Sequence, residues 1–209
     1  MTVHGTLRTL RSAFLTAVVT VGLPVSLASS VVGCAKKEAA PSSTATTAPV
    51  DAAPVVDLQV MAFLSEARAL HHEANIKEDE GDLASAVTVM MRLVRATHPH
   101  ADQTIPEVEE VLADAWARLA ELNLKQRDLD AAARAVTEGL AHAPEPTYFR
   151  GHLLEVEGII LEARATDLAD AGKKNEAQRA RARAIELLQE AVKVQEQVIG
   201  RALGDGGTR

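Results

Sequence analysis

The chain has 209 residues, with 22 Lys and Arg against 29 Asp and Glu, a net charge of −7, 47 % hydrophobic residues and only 2 % aromatic residues. Its single cysteine excludes an internal disulfide framework and a cysteine-rich zinc site. The negative charge argues against a general nucleic-acid binder, and the few aromatic side chains leave little for base stacking. The length allows one domain with a tail.

The first 33 residues have the layout of a secretory signal peptide. Arg8 and Arg11 precede an uncharged, largely apolar stretch from Ser12 to Gly33, and a positive flank before an apolar run is typical of such signals. A transmembrane anchor is the alternative, since about 20 apolar residues span a bilayer, but a glycine and a proline interrupt the run. Cleavage after residue 33 would remove two positively charged residues and no acidic residue, so the net charge would change from −7 to −9.

The apolar stretch ends in Val31-Val32-Gly33-Cys34. This sequence resembles the lipobox of bacterial lipoproteins, with Val31 in place of the usual leucine. In that family the cysteine is linked to diacylglycerol and becomes the acylated first residue, so the resemblance implies a lasting anchor of Cys34 in the lipid bilayer. Ala35, where inner-membrane lipoproteins usually carry Asp, favours the outer membrane, facing the periplasm. The alternative is an unmodified cysteine behind an ordinary signal peptide.

A flexible linker is predicted over residues 34–55, because Ala, Pro, Ser and Thr dominate it and it cannot bury enough apolar surface to become ordered. A folded domain is predicted over 56–200 and a disordered tail over 201–209.

The domain is predicted to be all-α, because apolar residues recur at helical spacing and no strand pattern is evident. Two longer helices are expected at about 147–171 and 175–200, with Gly158 and Leu161 in the first. Ala184, Leu188, Ala191 and Val192 belong to the second. Four earlier helices are predicted, each from one set of mostly apolar residues at helical spacing. In chain order the sets are Val60, Phe63, Leu64, Ala67, Leu70 and Ala74; Leu83, Ala86, Val87, Met90 and Val94; Val108, Val111, Leu112, Ala115, Trp116, Leu119 and Ala120; and Leu129, Ala132, Ala133, Val136, Gly139, Leu140 and Ala143.

The helices also repeat in pairs, since Gly81-Asp82-Leu83 recurs as Arg127-Asp128-Leu129. The middle pair resembles the tetratricopeptide repeat, whose small residues let helices approach closely. The resemblance implies an α-α superhelix, a solenoid of about three helix pairs; a six-helix bundle is the alternative. The matching positions are Trp116, Leu119, Ala120, Leu129, Ala132, Val136, Gly139 and Pro144.

No catalytic constellation is evident in the sequence. There is no Gly-x-Ser-x-Gly turn or nucleotide-binding glycine motif, so we expect neither an enzyme nor a cofactor. His98 and His100 in a loop, and His71 beside His72 on a helix, are expected to be ordinary surface residues rather than metal ligands. A basic run at Lys173, Lys174, Arg179, Arg181 and Arg183 is expected to be a solvated face; an anionic lipid or acidic partner is the alternative.

The repeat resemblance implies a partner-binding groove lined by the first helix of each pair. It places Arg68, His71, Asn75 and Glu78 there from the first pair, Asp114, Ala117, Glu121, Leu124 and Lys125 from the second, and His152, Glu155, Ile159 and Glu162 from the third. We therefore expect a lipid-anchored envelope scaffold or adaptor that binds other envelope proteins during complex assembly or localisation, as pilotins and outer-membrane assembly lipoproteins do. The alternative is a periplasmic protein that binds a small ligand or a metal in this acidic, histidine-bearing groove.

Overall fold

The computed structural model describes residues 57–205, which fold into six α-helices. The predicted signal peptide, the lipobox residues Val31, Val32, Gly33 and Cys34, and the linker lie outside the described residues. The prediction of an all-α domain is confirmed. None of the helices described is long and apolar enough to cross a membrane. The helices are α1 (Leu58–Asp79), α2 (Leu83–Val94), α3 (Pro106–Lys125), α4 (Leu129–His142), α5 (Tyr148–Asp170) and α6 (Lys174–Asp205).

Local sequence explains where the helices begin. The side chains of Asp82 and Asp128 accept hydrogen bonds from the backbone N–H three residues ahead, at 3.0 and 2.9 Å, and so cap α2 and α4. Thr147 caps α5 in the same way at 3.2 Å. Pro106 is the first residue of α3, where its missing N–H costs nothing and its fixed φ suits the helix.

Three equivalent turns join the two helices of each pair. Gly81, Arg127 and Gly172 adopt φ values of 80°, 65° and 78°, and each ends the first helix of its pair in a left-handed conformation. Glycine adopts this conformation freely, whereas Arg127 is a non-glycine residue in the same place. The turns lie 46 and 45 residues apart. The repeat of helix pairs is therefore present, with a period longer than the 34-residue tetratricopeptide unit.

The pairs are stacked in chain order. Helix α3 contacts α1 and α2 on one side and α4 and α5 on the other, while α1 and α5 do not touch. Within residues 57–205, each pair thus contacts only the next one, and the first helices α1, α3 and α5 lie side by side. This order brings the residues of the predicted groove onto one face.

Small residues allow the helices to approach closely. A Cβ added to Gly139 of α4 would lie 2.6 Å from Leu153 Cδ2 of α5, and one added to Gly158 of α5 would lie 2.9 Å from Leu188 Cγ of α6. Much of the core is alanine for the same reason, which explains how the domain packs with so few aromatic residues.

Helix α6 differs from the sequence prediction in two respects. It buries Leu187 and Val194, which the sequence pattern did not identify, against α5, whereas Leu188 is 38 % exposed beside Gly158 and Val192 is 55 % exposed. Apolar residues lie on two faces of this last helix, and spacing alone does not identify the face that has a neighbour. The helix also continues to Asp205, through residues assigned to a disordered tail, because nothing there breaks a helix.

Candidate interaction surface

The predicted groove residues lie on α1, α3 and α5, and we call the surface that these helices share the first-helix face. Seven of the predicted residues lie close to a polar or charged partner on a neighbouring first helix. They are His71, Asn75 and Glu78 of α1, Asp114, Glu121 and Lys125 of α3, and His152 of α5.

Arg118 of α3 is at the centre of these contacts. Its guanidinium donates to Asn75 Oδ1 at 2.9 Å and to Glu78 Oε2, both on α1, and to Glu121 Oε2 at 3.3 Å on its own helix. The Arg118 side chain is only 18 % exposed. Lys125 donates to the other oxygen of Glu78, so this carboxylate receives two cations from α3. These bonds lower the pKa of Glu78, although its partial burial opposes the shift.

Glu121 extends the contacts to the third helix pair. Its Oε1 accepts a hydrogen bond from His152 Nε2 at 3.1 Å, which joins α3 to α5. This bond lowers the pKa of Glu121 and raises the pKa of His152, with burial opposing both shifts. The other ring nitrogen, His152 Nδ1, is buried and has no hydrogen-bond partner in the described part of the chain. We call Asn75, Glu78, Arg118, Glu121, Lys125 and His152 the charged seam.

His71 lies beside the charged seam, but its surroundings lower its pKa, whereas those of His152 raise the pKa of that histidine. Its Nε2 is 3.7 Å from Asp114 Oδ2, which is longer than a hydrogen bond. Burial lowers the pKa of His71, and the nearby Arg118 adds to this effect while Asp114 opposes it. The fold therefore disfavours the charged form of His71, whereas it favours the charged form of His152.

The remaining predicted groove residues fall into two groups. Ala117 is 1 % exposed and Leu124 packs against the core, so neither lines the surface as the repeat pattern implied. Both lie on the part of α3 that its neighbouring helices cover. The four others are exposed on α1 or α5 outside the seam, namely Arg68, Glu155, Ile159 and Glu162.

Arg118 is the residue of the charged seam that the sequence pattern does not single out. It follows Asp114 by four residues and precedes Glu121 by three, so it shares a helix side with two predicted groove residues. This spacing alone could have predicted that Arg118 lies on the same side of α3 as these two residues. The partners on α1 are 40 and 43 residues away in the chain, however, and only the stacking of α1 on α3 reveals them.

The charged seam neutralises two acidic residues of the predicted groove. The predicted acidic groove contains Glu78 and Glu121, but both carboxylates are paired with cations of the protein itself. The seam consequently ties three helices together and fixes the shape of the first-helix face. Exposed residues around the seam remain available to a partner.

The loop histidines have partners other than a metal. The ring of His98 meets the ring of Phe63 edge-on at 6.0 Å, and His100 Nε2 lies 2.6 Å from Asp57 Oδ2. No group of three or more potential ligands that could hold a metal ion occurs among residues 57–205.

One cavity of about 420 Å³ lies where α3 and α5 begin and α4 ends. Pro106, Ala113 and Phe149 contribute to its apolar wall, and His142 Nδ1 lies within hydrogen-bond distance of Glu109 Oε2 there, at 2.7 Å. The apolar spacing of these helices does not predict this cavity, because it depends on how the second pair meets the third.

Comparison of the chain with known protein families, curated proteins and solved structures finds no significant match.

Proposed function

We propose that this protein is a lipid-anchored scaffold or adaptor of the cell envelope, which binds other envelope proteins on its first-helix face. The observation that carries this proposal is the charged seam, which spans all three helix pairs. A surface held rigid by cross-helix ion pairs loses little conformational entropy when a partner binds. Such pre-organisation suits a recognition surface.

The exposed residues around the seam define the chemistry of the partner. Arg68 of α1 and Glu155 and Glu162 of α5 carry charges of opposite sign at the two ends of the face, and Ile159 adds a side chain that is 41 % exposed. An amphipathic segment with an acidic end over α1 and a basic end over α5 would complement this arrangement.

Crosslinking in cells with mass spectrometry tests the binding surface. Arg68→Ala combined with Glu155→Ala should remove the partner, because both side chains are exposed and lie outside the seam. The matched control is Arg134→Ala with Glu138→Ala, one cation and one acid exposed on α4. If the α4 variant loses the partner and the first-helix variant keeps it, the assigned surface is wrong.

The anchor is tested separately. Cys34→Ser should leave unprocessed precursor and abolish labelling with a radioactive fatty acid, because serine provides no thiol for the lipid. Continued labelling of the variant would contradict lipidation at Cys34. Fractionation of the parent chain with the outer membrane tests the proposed location, and recovery with the inner membrane would contradict it.

The ligand-binding alternative has a direct test as well. His71 lies beside Asp114 and His152 bonds to Glu121, so a transition metal would have to compete with these carboxylates. A thermal shift with Zn²⁺ at neutral pH that disappears in a His71→Gln and His152→Gln double variant would favour the alternative over the scaffold.

A further inference from the structure

The cavity where the second helix pair meets the third has the size of a small-molecule site. Its volume of about 420 Å³ lies within the range of about 300–1,000 Å³ that is usual for ligand pockets. Much of its wall is apolar and comes from Ala113 of α3, Ala143 and Pro144 after α4, and Phe149 of α5. The two alanines are buried and carry no side chain beyond Cβ, so they leave this space unfilled.

Three carboxylates line the same cavity and outnumber its basic side chains. They belong to Glu109 and Glu110 of α3 and to Glu145 in the connection between α4 and α5. Glu109 is the only one of the three with a side-chain partner in residues 57–205, since its Oε2 lies 2.7 Å from His142 Nδ1. His142 is also the one basic side chain among the lining residues, so even a charged His142 leaves two carboxylates uncompensated. Both of these, Glu110 and Glu145, are exposed and can turn towards a ligand.

The other charges near the cavity do not supply the missing positive charge. Arg150 Nη1 donates to Ala143 O at 2.9 Å, but the Arg150 side chain does not line the cavity. The first residue of α3, Pro106, has no N–H to offer, and Thr147 Oγ1 already accepts a hydrogen bond from Arg150 N at 3.2 Å. Helix α4 ends at His142, and the carbonyl groups of its last turn add negative partial charge. The cavity therefore favours a cation over an anion.

We propose that this cavity binds a small organic cation, with an ammonium group carried on an apolar body about as large as one aromatic ring. The apolar wall receives the body, while Glu110 and Glu145 pair with the ammonium group. A bare metal ion does not fit, because no three potential ligands in the described part of the chain are arranged to hold one. None of the lining residues belongs to the charged seam, so this inference does not depend on partner binding at the first-helix face.

Fluorine NMR titration of the purified full-length chain tests the site. The probe is para-fluorobenzylammonium, and two molecules with the same ring serve for comparison, neutral para-fluorobenzyl alcohol and anionic para-fluorophenylacetate. The ammonium should saturate one site. The alcohol should bind about tenfold more weakly because it forms no ion pair with the two carboxylates, and the acetate should show no saturation.

Variants of the lining residues locate the site. Glu110→Gln with Glu145→Gln should weaken ammonium binding about tenfold and leave alcohol binding unchanged, because these exposed side chains lose only their charge. The matched control is Glu107→Gln with Glu138→Gln, which removes two exposed carboxylates of α3 and α4 that do not line the cavity. It should change the affinity less than about twofold, because solvent and salt screen charges outside the cavity. Ala141→Phe keeps every carboxylate but narrows the cavity, so it should weaken binding of both the ammonium and the alcohol.

Several results would overturn the proposal. The ammonium must bind more tightly than the alcohol, and saturation by the acetate or no saturation by the ammonium contradicts the assigned chemistry. An unchanged ammonium affinity in Glu110→Gln with Glu145→Gln, or an equal loss in the control variant, contradicts the assigned carboxylates. Unchanged binding in Ala141→Phe places the probe elsewhere on the protein and overturns the proposal as well.

Discussion

Replacement of Arg118 by leucine is the most direct test of the charged seam. The change removes the bonds from Arg118 to Asn75, Glu78 and Glu121 while a side chain of similar apolar bulk remains. Neither carboxylate loses its last cation, because Glu78 keeps Lys125 and Glu121 keeps its histidine partner. The loss should therefore be smaller than the 3–5 kcal/mol that is typical when one partner of a fully buried ion pair is removed.

The expected loss follows from the exposure of the partners. Arg118, Glu78 and Glu121 are 18 %, 19 % and 32 % exposed, so solvent screens their interactions in part. The two partly screened bonds to carboxylates contribute about 1 kcal/mol each and the exposed bond to Asn75 adds little, so we expect a loss of about 2 kcal/mol in the free energy of unfolding. For a domain of this size, that loss corresponds to a fall in Tm of about 4–8 °C.

Urea unfolding followed by circular dichroism at pH 7 measures this loss. Arg134→Leu is the control, because Arg134 is exposed on α4, and it should change the free energy of unfolding by less than about 0.5 kcal/mol. The loss caused by Arg118→Lys should lie between those of Arg118→Leu and Arg134→Leu, because lysine keeps the positive charge but lacks the planar guanidinium with its several donors. If Arg118→Leu is as neutral as the control, the seam does not hold the first-helix face together.

Three further predictions concern other parts of the structure. Gly139→Ala places a Cβ 2.6 and 3.0 Å from neighbouring side chains and should cost about 1 kcal/mol despite alanine's helix propensity. Gly200→Ala, where the added Cβ meets open space, should stabilise the folded state by about 0.5 kcal/mol. Equal effects of the two substitutions in thermal unfolding would contradict the close packing at Gly139. His152 has a raised pKa, so its stabilisation is complete below its ordinary pKa of 6.5 and is lost as the pH rises through the folded-state pKa. The loss of unfolding free energy on His152→Gln should thus be largest below about pH 6.5 and shrink as the pH rises above it, and a loss that does not change with pH would rule out the bond to Glu121. Burial raises the pKa of Glu157, which makes its charged form unfavourable in the fold, so Glu157→Gln should raise Tm by about 1–2 °C at pH 7. The gain should disappear near pH 4, where the parent carboxyl is protonated, and a lower Tm at pH 7 would reverse this assignment.

The sequence predicts the helices well because their signals are local. Asp82 and Asp128 cap the second helices of their pairs, Pro106 starts α3, and Thr147 precedes α5, all within a few residues of the atoms they contact. The recurrence of the turn before Asp82 and Asp128 likewise predicts the repeated pairs. The lipobox at Cys34 is equally local, and it remains a prediction because it lies outside the described residues.

Tertiary structure decides which faces of those helices meet. Arg118 became the centre of the seam only because the stacking of α1 on α3 places it against Asn75 and Glu78, which are 43 and 40 residues away in the chain. Ile185 and Val192 recur at helical spacing, yet both are more than half exposed because α6 has α5 as its only neighbouring helix in the described chain. Helical periodicity determines that an apolar or charged stripe exists, whereas its neighbour depends on contacts between residues far apart in the chain. The sequence alone thus determined the helices and their pairing, and the stack determined the charged seam and the uncovered face of α6.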